Sequence, residues 1–169
     1  TQDVVTDIFL KNMKIATPWI IKEINIQMLL DYVKENPEAN VLQVAAHLSN
    51  LLKVSERITV RHTAGRALLE TAPLLSKDQR NEIAIELNMG LETGEYEFSK
   101  YIPEYLGKFV LWLHPLELDE FLRDLKKFLI SVNDQVVCVA LDTLGVMLKH
   151  YGEYRSRFET EEPKEAYEE

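Results

Sequence analysis

The sequence predicts an all-α protein, built as a right-handed superhelix of about four stacked helical hairpins. Nearly every segment places apolar residues at positions i, i+3, i+4 and i+7, the spacing of one helix face, and no segment sustains strand-like alternation. Sliding the sequence against itself also gives a common register of 38 residues. A period that two helices share predicts that the repeating unit is a helical hairpin. A single hairpin cannot bury its own apolar stripe, so the hairpins are expected to stack.

Seven breaks separate eight helical segments. They fall at residues 16–18, 35–40, 53–56, 72–78, 92–95, 113–115 and 131–134. Thr17 before Pro18 fits an N-cap followed by proline at the first helical position. Ser76 with Gln79 fits a capping box, in which each side chain satisfies a backbone donor at the helix start.

The later helices also have predicted start and stop signals. Gly94 is placed to end a helix in the left-handed conformation. Pro103 lacks a backbone donor and is expected to kink or restart the helix near Ile102. Asn133 or Asp134 can cap the last long helix.

The 38-residue register is present in both helices of each predicted hairpin. The second helices share two sets, Ile26, Ala64, Ile102 and Ala140, and Leu30, Leu68, Leu106 and Leu144; the first helices share Ile8, Ala46, Ala84 and Leu122, and Ala45, Ile83 and Phe121. Gly107 also matches Gly145. The predicted hairpins cover residues 1–36, 37–74, 75–113 and 114–152, with the matched second-helix residues from Ala64 onward buried.

Composition predicts one soluble domain over residues 1–152, followed by a helical extension and an acidic, disordered tail over 153–169. Residues 159–169 hold six Glu and one Lys, so they contribute −5 of the net charge of −9. This balance argues against nucleic acid as a partner. The single cysteine, Cys138, is expected to be a small buried hydrophobe in a reducing compartment, and no signal peptide or membrane span is seen, which favours the cytoplasm.

Two stretches resemble a known repeat family. "ITVRHTAGRALLETA" (58–72) is similar to the second helix of a HEAT repeat, with the pattern V-R-x-x-A-x-x-A-L at Val60, Arg61, Ala64, Ala67 and Leu68. "DQVVCVALDTLGVML" (134–148) is similar too. The resemblance implies a HEAT-like α-solenoid; an armadillo-like or unclassified hairpin stack remains an alternative.

Some residues depart from the family pattern. Val137 stands where the family has arginine, and Lys22 stands where an apolar residue belongs. The period of 38 is also slightly shorter than the usual 40 to 47.

A basic stripe is predicted at the turn between the second pair of helices. Lys53, Arg57 and Arg61 recur every four residues, with Arg66 on an adjacent edge, and together they favour an acidic or phosphorylated partner. The family resemblance implies the alternative that Arg61 is structural and pairs with an acidic residue near the turn, here Glu56. Solvated or intramolecular ion pairs are the other interpretation of the stripe.

An aromatic stripe follows in "YEFSKYIPEYLGKFVLWL" (96–113). Tyr101, Tyr105 and Trp112 fall at helical spacing there, and they are either core residues or apolar anchors for a partner.

These features predict a non-catalytic scaffold that binds a protein or peptide. No cofactor, metal or catalytic site is expected, because the four histidines lie in no metal-binding spacing and no phosphate loop or nucleophile elbow occurs. One alternative is a regulatory or docking domain of a larger enzyme or signalling protein. Another is an enzyme that resembles HEAT-like DNA-alkylation repair glycosylases, for which Trp19, Trp112 and the basic stripe are the available residues.

Overall fold

A computed structural model describes residues 3–14 and 18–158, and these residues form nine α-helices and two short 3-10 helices. No strand occurs in these two ranges, so the all-α prediction is confirmed for them. The chain divides into two compact units, residues 1–75 and 76–169. The expected single domain over 1–152 stays a prediction.

The first unit contains two helical hairpins. Its helices are α1 (Val4–Lys14), α2 (Trp19–Glu35), α3 (Val41–Val54) and α4 (Ile58–Thr71), followed by a 3-10 turn at Ala72–Leu74. Helix α3 packs along α4, and α2 packs on α4 from the neighbouring hairpin. The core between them is aliphatic and includes Ile26, Leu29, Leu30, Val44, Leu48, Leu52, Val60, Ala64 and Leu68.

Asp3 fastens the start of α1 to the rest of this unit. Its carboxylate accepts hydrogen bonds from Thr6 Oγ1 (2.5 Å), the Asn40 amide (2.8 Å) and Tyr32 Oη (2.9 Å), and also from the Thr6 amide (3.2 Å). Burial raises the pKa of Asp3, but these four donors favour the ionised carboxylate and together lower that pKa to about 2.

The second unit contains two more hairpins. Its helices are α5 (Lys77–Thr93), α6 (Tyr96–Ser99), α7 (Ile102–Phe109), α8 (Pro115–Leu129) and α9 (Asp134–Phe158), with a 3-10 turn at Val110–Trp112. Helix α9 packs along α7 and α8, and α5 packs on both α7 and α8. Gly107 permits the close approach of α7 to α9, because a Cβ at this position would lie 2.6 Å from Cβ of Val146.

Several local signals are confirmed. Ser76 Oγ accepts from the Gln79 amide (3.2 Å) and Gln79 Oε1 accepts from the Ser76 amide (3.0 Å), which completes the capping box of α5. Pro103 lies in the first turn of α7, so the helix restarts at Ile102 as expected. Asn133 Oδ1 accepts from the Gln135 amide at 3.0 Å at the start of α9.

Other local predictions are wrong or shifted. Gly94 ends α5 in an extended conformation (φ −89°, ψ 159°), because the chain leads directly through Glu95 into the short helix α6. Pro18 is the residue before α2 rather than its first helical residue. Thr17 and the acidic tail at 159–169 lie outside the described residues, whereas residues 153–158 continue α9 as expected.

The repeat register describes the second helices better than the first. The positions of Ile26, Ala64, Ile102 and Ala140 are all buried, as are Leu30, Leu68 and Leu106, whereas Leu144 is only half-buried. In the first helices Ala45, Ile83 and Phe121 are buried, but Ile8, Ala46 and Leu122 are exposed, unlike Ala84. The set that contains Ile8 is therefore not a shared core position.

Cys138 is exposed, so its expected burial is wrong. Helix α9 buries Val136, Val139, Ala140 and Thr143. At about 100° per residue, Cys138 lies about 200° around the helix from Val136 and therefore on the opposite side.

Candidate functional site

Arg61 lies inside the first unit with only 1 % of its surface exposed. Its Nε donates to the Ser55 carbonyl, and its Nη1 donates to the carbonyls of Leu52 (3.1 Å) and Lys53 (3.3 Å). The last four carbonyls of a helix have no partner within that helix, so Arg61 on α4 supplies donors to the end of α3. The stripe predicted through Lys53, Arg57 and Arg61 is consequently not a continuous surface, and the pairing of Arg61 with Glu56 stays a prediction.

Arg57 instead lies at an open cavity of the first unit, close to an aromatic ring. Its Cζ is 4.1 Å from the centroid of the Trp19 ring, a cation–π geometry. The cavity has a volume of about 530 Å³. It is lined by Trp19 and Lys22 of α2, Leu51 and Val54 of α3, Ser55, Glu56 and Arg57 of the turn, and Val60 of α4.

Lys22 lines this cavity, although the repeat register places it at an apolar position. It lies 38 residues before Val60, which is fully buried, whereas Lys22 is half-buried. A residue that breaks the local pattern without a packing gain is a candidate for function. The repeat pattern shows the departure of Lys22 but predicts no role for it, and Trp19 is not among the binding residues that the sequence predicts.

Exposed apolar side chains extend the surface beside the cavity. Trp19 is 40 % exposed, and Ile20, Ile24 and Met28 are exposed at a spacing of four residues, which places them along one face of α2. Val54, at the end of α3, is exposed as well. Single exposed apolar residues are ordinary, but a row of them indicates a contact surface.

The other two basic residues of the predicted stripe lie apart from this cavity. Arg66 is exposed on α4, where its Nη2 donates to Thr63 Oγ1 at 3.4 Å. Arg66 is nine positions after Arg57, which caps the start of α4, so the two residues are about 13.5 Å apart along the helix axis. Lys53 is half-buried and is not among the cavity's lining residues in the described part of the chain.

Trp112, a predicted anchor, belongs to the second unit and lies against two arginines. The Cζ of Arg157 is 3.6 Å from the centroid of its ring, and the Cζ of Arg80 is 5.4 Å from it. Arg80 Nη1 donates to the Trp112 carbonyl (3.1 Å), and Arg157 Nη1 donates to the Leu111 carbonyl (2.9 Å). Burial lowers the pKa of both guanidinium groups, although arginine stays charged at neutral pH.

The predicted tyrosine anchors have different environments. Tyr105 on α7 is only 2 % exposed, so it is a core residue, and its prediction as a surface anchor is wrong. Tyr101, at the start of α7, is half-buried and lies under Lys100, whose Nζ is 5.4 Å from the ring centroid. The structure thus assembles Trp19, Lys22 and Arg57 into one site and leaves the tyrosines and Trp112 outside it.

The described residues offer no arrangement for a metal. Within residues 3–14 and 18–158, no three or more His, Cys, Asp or Glu side chains are grouped so that they could hold an ion. Over the same ranges, the helices are too short or too polar to cross a bilayer. No protein-family model, curated protein or solved structure matches this chain.

Proposed function

We propose that this protein is a non-catalytic interaction module that binds a polypeptide partner, and that the cavity at Trp19, Lys22 and Arg57 receives an acidic or phosphorylated segment of it. One observation carries the proposal: an exposed tryptophan stacks with an exposed arginine at a concave surface, with a second cation in the same wall.

The chemistry of the cavity suits a segment that combines negative charge with an apolar side chain. Arg57 and Lys22 outweigh Glu56, so the charged lining residues carry a net charge of +1. A guanidinium that stacks on an aromatic ring lies parallel to it, so its N–H donors point outward, parallel to the plane of the ring. A carboxylate or phosphate can accept two of these N–H groups at once. Trp19 and Val54 offer apolar contact area, and tryptophan and arginine are frequent hot-spot residues at interfaces.

The proposed architecture is a HEAT-like, or armadillo-like, array of four hairpins. Within the first unit the second helices α2 and α4 pack together, and within the second unit α7 and α9 do the same. The first helices also pair, α1 with α3 and α5 with α8. In such repeats, first helices stack on first helices and second helices on second helices, and the extended surfaces bind polypeptides. A cytoplasmic location belongs to the same proposal.

A peptide-binding experiment tests the proposed site. Fluorescein-labelled 12-residue peptides, in which Glu, Asp or phosphoserine flanks a central Leu or Phe, are titrated with the protein and compared with peptides in which Gln and Ser replace the acidic residues. We expect acidic peptides to bind about tenfold more tightly at low salt, with affinity that falls as salt rises.

Charge reversals locate the site. Arg57→Glu with Lys22→Glu is expected to weaken acidic-peptide binding by about tenfold or more and to flatten its salt dependence. Arg66→Glu with Arg123→Glu makes the same change in net charge at exposed positions outside the cavity and is the matched control. Equal losses in the two double variants, or equal binding of acidic and neutral peptides, would contradict the proposal.

A further inference from the structure

We infer that the second unit carries a separate binding site, which takes a lysine or arginine side chain from a polypeptide. The site is a cavity of about 260 Å³ between helices α5 and α8. Its lining includes Asn88 and Glu92 of α5 and Glu120, Phe121 and Asp124 of α8.

Asn88 provides the first observation. Only 5 % of Asn88 is exposed, and its Oδ1 accepts no hydrogen bond from any residue that the structure describes. Buried polar atoms in native proteins nearly always have a partner, and an exception calls for an explanation such as a ligand or a bound water. Asn88 lines the cavity, so an N–H or O–H donor that enters the cavity is the partner we infer for this oxygen.

The charge around the cavity provides the second observation. Glu92, Glu120 and Asp124 are exposed at its rim. Lys127 is the only basic lining residue, and its Nζ lies 3.3 Å from Oδ1 of Asp124. The lining residues therefore carry a net charge of −2. A positively charged donor is favoured here over a neutral hydroxyl or amide.

The remaining walls are apolar. Ile85 and Met89 line the cavity from α5, and Phe121 and Phe128 line it from α8. Lysine and arginine lay their methylene stems along apolar surface while they keep the charged end at polar groups. Aromatic rings also attract such cations directly.

The size of the cavity selects among cationic ligands. A volume of 260 Å³ lies below the range of about 300–1,000 Å³ that is typical of small-molecule and cofactor sites. One long side chain with part of its neighbour suits this volume, so the occupant we infer is a basic residue of a polypeptide. This site differs from the proposed acidic-peptide site in both unit and charge, and the two can fail independently.

The inference is tested with a panel of labelled seven-residue peptides that hold one central Lys or Arg between varied apolar residues. Peptides with norleucine in place of the basic residue keep the apolar stem and lack the charge. We expect saturable binding that is about tenfold tighter for Lys or Arg than for norleucine. Equal binding of the two series, or no saturable binding at millimolar peptide, would overturn the inference.

Two variants locate the site. Neutralising the rim by Glu92→Gln, Glu120→Gln and Asp124→Asn is expected to weaken basic-peptide binding by about tenfold. The control neutralises three exposed carboxylates of the same unit outside the cavity, by Glu97→Gln, Asp142→Asn and Glu153→Gln, and is expected to bind within about twofold of the unaltered protein.

Asn88→Leu separates a ligand from a bound water. If Oδ1 accepts from the basic side chain, this variant folds with an unchanged or higher melting temperature and loses about fivefold or more in affinity. Unchanged affinity would mean that a water satisfies Asn88 and would overturn its role. Should the leucine variant fail to fold, the rim and control variants still decide the inference.

Discussion

Arg61 offers a direct test of whether the arginine of the predicted repeat is structural or part of a surface. The perturbation is Arg61→Met, which keeps the length and apolar character of the stem and removes the guanidinium. Arg61 is buried and donates to three carbonyls at the end of α3, those of Leu52, Lys53 and Ser55. The variant therefore leaves these carbonyls without the donors that α4 supplies.

The expected loss follows from two opposing terms. Each hydrogen bond to a charged group contributes roughly 1.5–3 kcal/mol, so three of them amount to about 4.5–9 kcal/mol. Removal of the buried charge returns several kcal/mol of desolvation cost. Methionine also retains much of the packing. We expect the free energy of unfolding of the first unit to fall by about 3 kcal/mol.

Urea titration followed by tryptophan fluorescence measures this change. The chain has two tryptophans, one in each unit, so Trp112→Phe leaves Trp19 as the reporter of the first unit. Arg66→Met in the same background removes an exposed arginine from the same helix and is expected to change stability by no more than about 0.5 kcal/mol. A loss below about 1 kcal/mol for Arg61→Met, or equal losses for the two variants, would refute the structural role.

Four further outcomes follow from single residues. Asn88→Leu should raise the free energy of unfolding of the second unit by about 1 kcal/mol in a urea titration, because it removes a buried acceptor that has no partner among the described residues. Asp3 has a pKa of about 2 in the folded protein, below its ordinary value of 3.8. Its stabilising effect is therefore present above pH 3.8 and is lost as pH falls towards 2. Asp3→Ala should destabilise the first unit at pH 7 in thermal melts, and the difference from the unaltered protein should vanish near pH 2. Ala140→Asp places an unpaired carboxylate at a fully buried position and should cost about 3 kcal/mol or more by chemical denaturation. Cys138 should react with a thiol reagent in the folded protein at nearly the rate of the unfolded chain, and protection on folding would contradict its exposure.

The helical elements could be predicted from the sequence because the signals that define them are local. The apolar period, the Ser76–Gln79 capping box and the restart at Pro103 each act within one or two turns of helix. The repeat register likewise predicted the burial of Ala64 and Ala140, and both are fully buried.

Whether each basic residue at the turn is buried or exposed was decided only by tertiary structure. Arg57 and Arg61 are one helical turn apart and have the same charge, yet one stacks on Trp19 at an open cavity and the other is buried against carbonyls of α3. One is exposed and the other is buried because of where helix α2 and the end of α3 lie relative to them, and no local pattern encodes those positions. Lys22 was the available signal, since it broke the repeat pattern at a position that turned out to line that cavity.

The sequence by itself determined where the helices lie and which faces of the second helices are apolar, since both depend on periodicity along one chain segment. Tertiary structure alone decided that Tyr105 and Arg61 are interior, that Cys138 is exposed, and that Asn88 is buried between α5 and α8. The physical reason is that burial depends on the neighbouring helix as well as on the residue, so a polar or aromatic side chain on the edge of an apolar stripe can face either way until that neighbour packs against it.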